Sequence, residues 1–189
     1  MVGAGRGAVD LPGQRELLRG ARDALMQLFR GGRVPDPEGA SAPIAGVFVS
    51  LHRISADGER ELRGCMGALD LREPLGQAVA RMAVAAATRD PRFPPLRNEE
   101  LVDLEIEISL LSPLVPLRST DQLVVGRHGL HVSKGERRGL LLPQVAPEHD
   151  WDREQFLAHA CLKAGLPEDA WRDGDTRIEV FSAEVFHGR

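Results

Sequence analysis

Cysteine is scarce in this chain: Cys65 and Cys161 are the only two in 189 residues. A pair so far apart makes neither a disulfide framework nor a Cys-x-x-Cys redox motif, and the expected compartment is the reducing cytoplasm. No apolar run approaches the roughly 20 residues that cross a bilayer, which argues against a membrane span. The opening residues carry a lone Arg6 and no apolar stretch, so a secretory signal is not expected and residues 1–13 read as a flexible leader. A basic excess is also missing. The formal net charge is −4, with both signs interleaved along the chain, and nucleic acid is not an expected partner. Metal-ligand spacing is absent too. His128 and His131 are three apart around Gly129, and His159 and Cys161 are two apart on a predicted helix, where they point away from each other. No metal is expected from this chain alone, and the sequence leaves any cofactor unknown. Internal repeats and low-complexity segments do not occur.

What is present is ordinary globular patterning, with 42% hydrophobic and 28% charged residues. Residues 14–30 place Leu17, Leu18, Ala21, Ala24, Leu25, Leu28 and Phe29 on one helical stripe, closed by Gly31-Gly32. A Pro- and Gly-rich connector spans 33–44. Two strand-like runs, 45–54 and 60–69, flank Asp57-Gly58 and predict a β-hairpin. Residues 73–87 have helical spacing. In 101–112, Leu104, Ile106, Ile108 and Leu110 alternate with Glu105, Glu107 and Ser109, which predicts a strand with one buried and one wet face. Two or three short strands are expected over 123–142. Asp152 and Gln155 form the pattern of a capping box ahead of a helix that ends at Gly165, and 176–186 reads as a last strand. Strands follow strands more often than they alternate with helices. The expected fold class is therefore α+β, with a mainly antiparallel sheet flanked by helices.

The stretch with the most chemistry is Glu61–Asp70, ELRGCMGALD. On an extended strand Arg63, Cys65 and Gly67 share one face, while Leu62, Gly64 and Met66 share the other. A guanidinium beside a thiol favours the nucleophilic thiolate, so Cys65 is a candidate thiolate and Arg63 its candidate stabilising cation. Gly67 leaves room for a small group to reach the sulfur, and Gly64 permits a bulge. The opposing reading makes Cys65 a small buried hydrophobe and the glycines a means of tight packing against a helix. A catalytic thiol also wants a base, and His52, across the predicted hairpin, is the one candidate.

Two further segments are candidate binding walls. Arg92 and Phe93 lie between Pro91 and Pro94-Pro95, in a loop stiff enough to hold a side chain in place. The plainer alternative has Phe93 in the core and Arg92 paired with Asp90. Pro143, Gln144, His149 and Trp151 lie between a strand and a helix start, a common place for a site; alternatively Trp151 only staples the helix. Cys161 and Lys163 read as core and as a solvated cation, respectively.

Six segments in order carry a resemblance: LRGCMG (62–67), DPRFPPL (90–96), EISLLSP (107–113), GRHGLHV (126–132), GLLLPQVAPEHDWD (139–152) and KAGL (163–166). Together they resemble the AMMECR family, whose hallmark is Leu-Arg-Gly-Cys-Ile-Gly; Met66 stands here in place of its isoleucine. The resemblance spans residues 14–187 and implies one α+β domain with a larger and a smaller lobe and a cleft near the hallmark. It further implies the bacterial group labelled AmmeMemoRadiSam system protein A, encoded beside a Memo-type protein and a radical S-adenosylmethionine enzyme. Those two proteins are the expected partners, together with a small-molecule substrate. Three functions follow as expectations: a small-molecule-binding or catalytic partner acting through a cleft around Cys65, a non-enzymatic adaptor using the same cleft, and a nucleic-acid-associated regulator. Whether the chain is an enzyme is left open by the resemblance.

Overall fold

The computed structural model describes residues 9–31 and 44–189. The first eight residues of the expected leader and the connector over 33–43 lie outside the described residues. The chain divides into two compact units, one of residues 1–110 and 184–189, the other of residues 111–183.

The first unit opens with helix α1 (Leu11–Arg30), three residues earlier than its apolar stripe suggests. Asp10 explains the difference. Its Oδ1 accepts the Gly13 amide at 3.0 Å, and Pro12 sits in the first turn, where a missing N–H costs nothing. Val9 is buried, so the end of the expected leader belongs to the folded unit. Gly31 closes the helix at φ +68°.

Strands β1 (Gly46–Ile54) and β2 (Arg60–Leu69) form the expected antiparallel hairpin around Gly58, which takes φ +84°. Helix α2 (Leu75–Thr88) follows, then a 3-10 turn (Asn98–Asp103) and strand β3 (Leu104–Leu111). The sheet order is β2–β1–β3–β8, with β8 (Ala183–Gly188) returning from the far end of the chain. The core of this unit lies between one face of the sheet and α1 and α2. It contains Val47, Val49, Leu51, Ile106, Ile108, Leu110, Leu25, Val79 and Met82. α2 carries six alanines in its fourteen residues, and Gly64 on β2 fits against it. A Cβ at Gly64 would stand 2.3 Å from the Ala86 carbonyl oxygen, so only glycine allows the helix to lie this close.

The second unit holds the short β4 (Val115–Pro116), the hairpin β5 (Gly129–Lys134) and β6 (Arg137–Leu141), the single-turn α3 (Val145–Glu148), helix α4 (Arg153–Lys163) and β7 (Arg177–Phe181). Its sheet runs β4–β7–β5–β6, antiparallel throughout. The expected capping box at α4 is present: Asp152 Oδ1 accepts the Gln155 amide at 2.9 Å, and Gln155 Oε1 accepts the Asp152 amide at 3.0 Å. Leu130, Val132, Phe156, Leu157, Ala160 and Cys161 make the core, so Cys161 packs as read. Gly139 repeats the device of Gly64. A Cβ there would lie 2.5 Å from the Ala164 nitrogen, so α4 approaches β6 over bare backbone.

The fold is thus α+β, with two four-stranded sheets where one was expected. The single strand expected over 176–186 is two strands, broken at Ser182, and the chain returns to the first unit between Ala183 and Glu184. Nothing in the alternation of residues 176–186 marks that change of sheet.

Candidate functional site

Cys65 lies on β2, the edge strand of its sheet, and pairs across the hairpin with Ser50. Pairing passes from Gly64–Leu51 directly to Leu62–His52, so β2 carries one extra residue at Arg63, a bulge next to Gly64. That extra residue breaks the alternation on which the expected faces depend. Met66 packs on the core, and so does Ala68 further along the strand, whereas Leu62, expected on the face of Met66, pairs with His52 rather than with a core residue.

Arg63 leaves the cysteine altogether. Its Nε and Nη2 grip the two oxygens of Glu100 at 2.7 and 3.0 Å, while Nη1 donates to the Pro94 carbonyl at 2.9 Å and Nη2 to that of Pro95 at 3.3 Å. The bidentate guanidinium holds the Glu100 carboxyl down at about 2. Arg63 is therefore a clamp on the proline loop, and its expected role as the thiolate-stabilising cation is corrected. Gly67 is corrected as well: the Phe48 ring fills the space above it, 2.3 Å from where a Cβ would stand, so no room opens there toward the sulfur.

The groups that do meet Cys65 come from β1 and from the loop after α2. The Ser50 hydroxyl donates to Sγ at 3.2 Å. The outward-facing Cys65 amide, unused by the sheet edge, donates to Asp90 Oδ2 at 2.8 Å. Asp90 is buried, yet it also receives the Arg92 amide (3.1 Å), Arg92 Nε (3.0 Å) and Arg92 Nη2 (2.7 Å). The Arg92 guanidinium beside it holds this carboxyl far below the usual range. Arg92 itself stays 57% exposed and lies over the Phe93 ring at 5.4 Å, with Nη1 unpartnered among the described residues. Phe93 thus supports the arginine and is only half-buried.

Burial pushes the Cys65 thiol above its ordinary value. The Ser50 hydroxyl and the Arg92 charge pull the other way and do not overcome it. The result is a protonated, half-buried thiol whose backbone is locked by a carboxylate that also aims an exposed cation. His52 sits opposite Leu62 rather than Cys65 and makes no hydrogen bond to the thiol; its Nδ1 is buried without a partner among the described residues, and burial lowers its pKa. Sequence reasoning missed Ser50 and gave Asp90 only a minor role. The signal for Asp90 was its place at the head of a rigid Pro-rich loop, two residues before an arginine.

The second candidate group lies in the second unit. Pro143 is buried, so it is packing and not a binding wall. Gln144 precedes the single-turn α3 and accepts the Glu148 amide through its carbonyl at 3.1 Å. Trp151 stacks with two imidazoles, His149 at 4.7 Å and His159 of α4 at 3.7 Å with ring planes 5° apart. The three rings tie the turn to α4. His159→Leu is expected to cost about 1 kcal/mol, read as a lower thermal midpoint with a change in tryptophan fluorescence; an unchanged midpoint would leave the stack without structural weight. Among the described residues no group of three or more His, Cys, Asp and Glu is arranged to hold a metal ion. Nor is any described helix long and apolar enough to cross a membrane.

Two sheet-centred units, with a cysteine-bearing edge strand locked by a buried aspartate, define the structural class. The chain belongs to the AMMECR1 family, whose profile matches residues 18–186. A protein of Thermococcus gammatolerans is 46% identical over 179 residues, covering 90% of this chain and 87% of that one. One from Methanothermobacter thermautotrophicus is 43% identical over 184 residues, covering 92% and 93%. The crystal structure of an uncharacterized protein from Pyrococcus horikoshii superposes with a TM-score of 0.79 at 40% identity, over 92% of this chain and 90% of that one.

Proposed function

We propose that this chain binds a small anionic molecule at the β2 edge and presents it to a Memo-type protein and a radical S-adenosylmethionine enzyme encoded with it. In this reading Cys65 is a protonated contact and not a nucleophile. The observation that carries it is the double use of Asp90, which fixes the Cys65 amide and at the same time aims the exposed Arg92 at the same edge. An arginine whose Nε and Nη2 are already fixed loses little freedom on meeting a ligand, and its remaining N–H groups suit a carboxylate or phosphate. The thiol adds a polarizable, uncharged surface beside it. The partner set rests on the family resemblance of the six ordered segments.

Iodoacetamide alkylation of the native protein against pH, in a Cys161→Ala background, tests the thiol. The expected apparent pKa lies above the ~8.5 of a free thiol and rises further in Arg92→Gln. A value clearly below it means an activated thiolate, and the binding reading gives way to covalent catalysis. Citrate, used as a generic polyanion, is expected to raise the thermal midpoint of the native protein but not that of Arg92→Gln.

A further inference from the structure

The described residues contain two buried carboxylates, Asp90 and Glu179. The second belongs to the other unit and is independent of the reading above. Glu179 on β7 pairs directly with His131 on β5, on the face of the sheet opposite the core residues Leu130 and Val132. Its Oε2 lies 3.1 Å from His131 Nδ1, and its Oε1 accepts Arg177 Nη2 at 2.6 Å. Glu179 is 7% exposed, His131 12% and Arg177 67%.

This geometry sets the tautomer of His131. A carboxylate already paired with a guanidinium can only accept hydrogen bonds, so Nδ1 must carry the proton. In the neutral ring Nε2 then has a bare lone pair. It has no partner among the described residues, and it is not one of the buried unpartnered atoms, which are His52 Nδ1 and Thr176 Oγ1. Solvent therefore reaches it. One carboxylate thus orients an imidazole, leaving it ready to accept a proton, and holds an exposed guanidinium beside it. A purely structural ion pair requires neither the open Nε2 nor the exposed cation, and burying a carboxylate only to pair strands is costly.

We infer that His131, Glu179 and Arg177 form a second ligand site, for a molecule that carries a hydroxyl proton beside an anionic oxygen. A phosphate monoester or a hydroxy-carboxylate has that chemistry. The hydroxyl donates to Nε2, the oxyanion meets Arg177, and Glu179 is the positioning residue that keeps Nδ1 protonated. If the hydroxyl proton transfers, it passes to Nε2, the ring becomes imidazolium, and the ligand oxygen keeps the electron pair.

Inorganic phosphate near pH 8 is the probe, because it carries both an O–H and anionic oxygens. Sulfate is the control that lacks the proton. Long-range proton–nitrogen correlation on the native protein is expected to show His131 as the Nδ1–H tautomer; the Nε2–H tautomer overturns the site. Phosphate, at ionic strength held constant with KCl, is expected to shift the His131 ring signals saturably. Sulfate should bind at least about fivefold more weakly, the order of discrimination that one matched hydrogen bond supplies. Arg177→Gln, at a residue exposed enough to spare the fold, should weaken phosphate at least about tenfold. No saturable shift, equal binding of phosphate and sulfate, or an Arg177→Gln variant with undiminished affinity each overturns the proposal.

Discussion

Gly64→Ala is expected to destabilise the first unit by about 3 kcal/mol or more, and Gly64→Val to prevent its folding. The reason is the identity of the obstructing atom. The new Cβ would stand 2.3 Å from the Ala86 carbonyl oxygen and 3.1 Å from its carbon. Both atoms belong to the backbone of α2, which cannot step aside as a flexible side chain can. To admit even a methyl group the helix must lift off the sheet, opening a gap beneath Ala83, Ala86 and Ala87, all of which are buried. Gly67→Ala makes the control. Its Cβ would come as close, 2.3 Å, but to the Phe48 ring, which is half-buried and can turn. The expected order is Gly64→Ala well below Gly67→Ala in thermal midpoint. For a chain of this size a 3 kcal/mol loss corresponds to roughly 6–12 °C. A Gly64→Ala variant within about 0.5 kcal/mol of the parent would mean that α2 slides freely on β2 and that the glycine serves some other end.

That glycine also shows where sequence reasoning reached and where it stopped. Periodicity found α1, α2, the hairpin, β3 and α4, helped by local signals such as Asp57-Gly58 and the Asp152–Gln155 box. The face of β3 expected to be wet is instead largely covered, with Ser109 buried and Glu105 and Glu107 drawn onto Arg60. An arginine, a cysteine and two glycines in one strand is a costly arrangement for a sheet and marks this stretch out. The structure joins Cys65 through Asp90 to Arg92 of the DPRF loop in one hydrogen-bonded cluster, which is the candidate site. The assignment of roles failed through a single residue. Counting by twos from Cys65 puts Arg63 on its face, and a one-residue bulge cancels that count. The cation whose charge acts on Cys65 is Arg92, held nearby by Asp90, and a residue 27 positions away cannot be read from local alternation. Likewise, His131 and Glu179 are 48 positions apart and meet only through strand register. The two-sheet division was hidden for a related reason, since the break at Ser182 leaves the hydrophobic pattern of 176–186 continuous.

Asp90→Ala is the second large effect expected, and it separates the structural role of the aspartate from its electrostatic one. Alanine leaves the Cys65 amide without its acceptor on the sheet edge, an unmade bond that costs about 1–3 kcal/mol. The lost pairing with Arg92 adds little to stability, because that guanidinium is 57% exposed and water replaces its partner. Asp90→Asn should lie between, since its amide oxygen can still accept the Cys65 N–H. Acid sensitivity orders the variants differently. The folded Asp90 carboxyl is held below its unfolded value by Arg92, so its contribution is complete above the ordinary carboxylate pKa of about 4 and is lost as pH falls below that. Glu100, held at about 2 by Arg63, contributes with the same sign in the same window. The parent should therefore lose stability steeply below about pH 4, whereas Asp90→Asn, having nothing to protonate there, should show a shallower slope despite starting lower. Urea unfolding at neutral pH and at successively lower pH values measures both quantities. Equal slopes in parent and Asp90→Asn would mean that the carboxylate is not ionised by Arg92 in the folded chain, and the aimed cation on which the proposed anion binding depends would be lost with it. A shallower slope together with faster amide exchange at Cys65 in Asp90→Ala would establish that one buried carboxylate both seals the strand edge and sets the arginine.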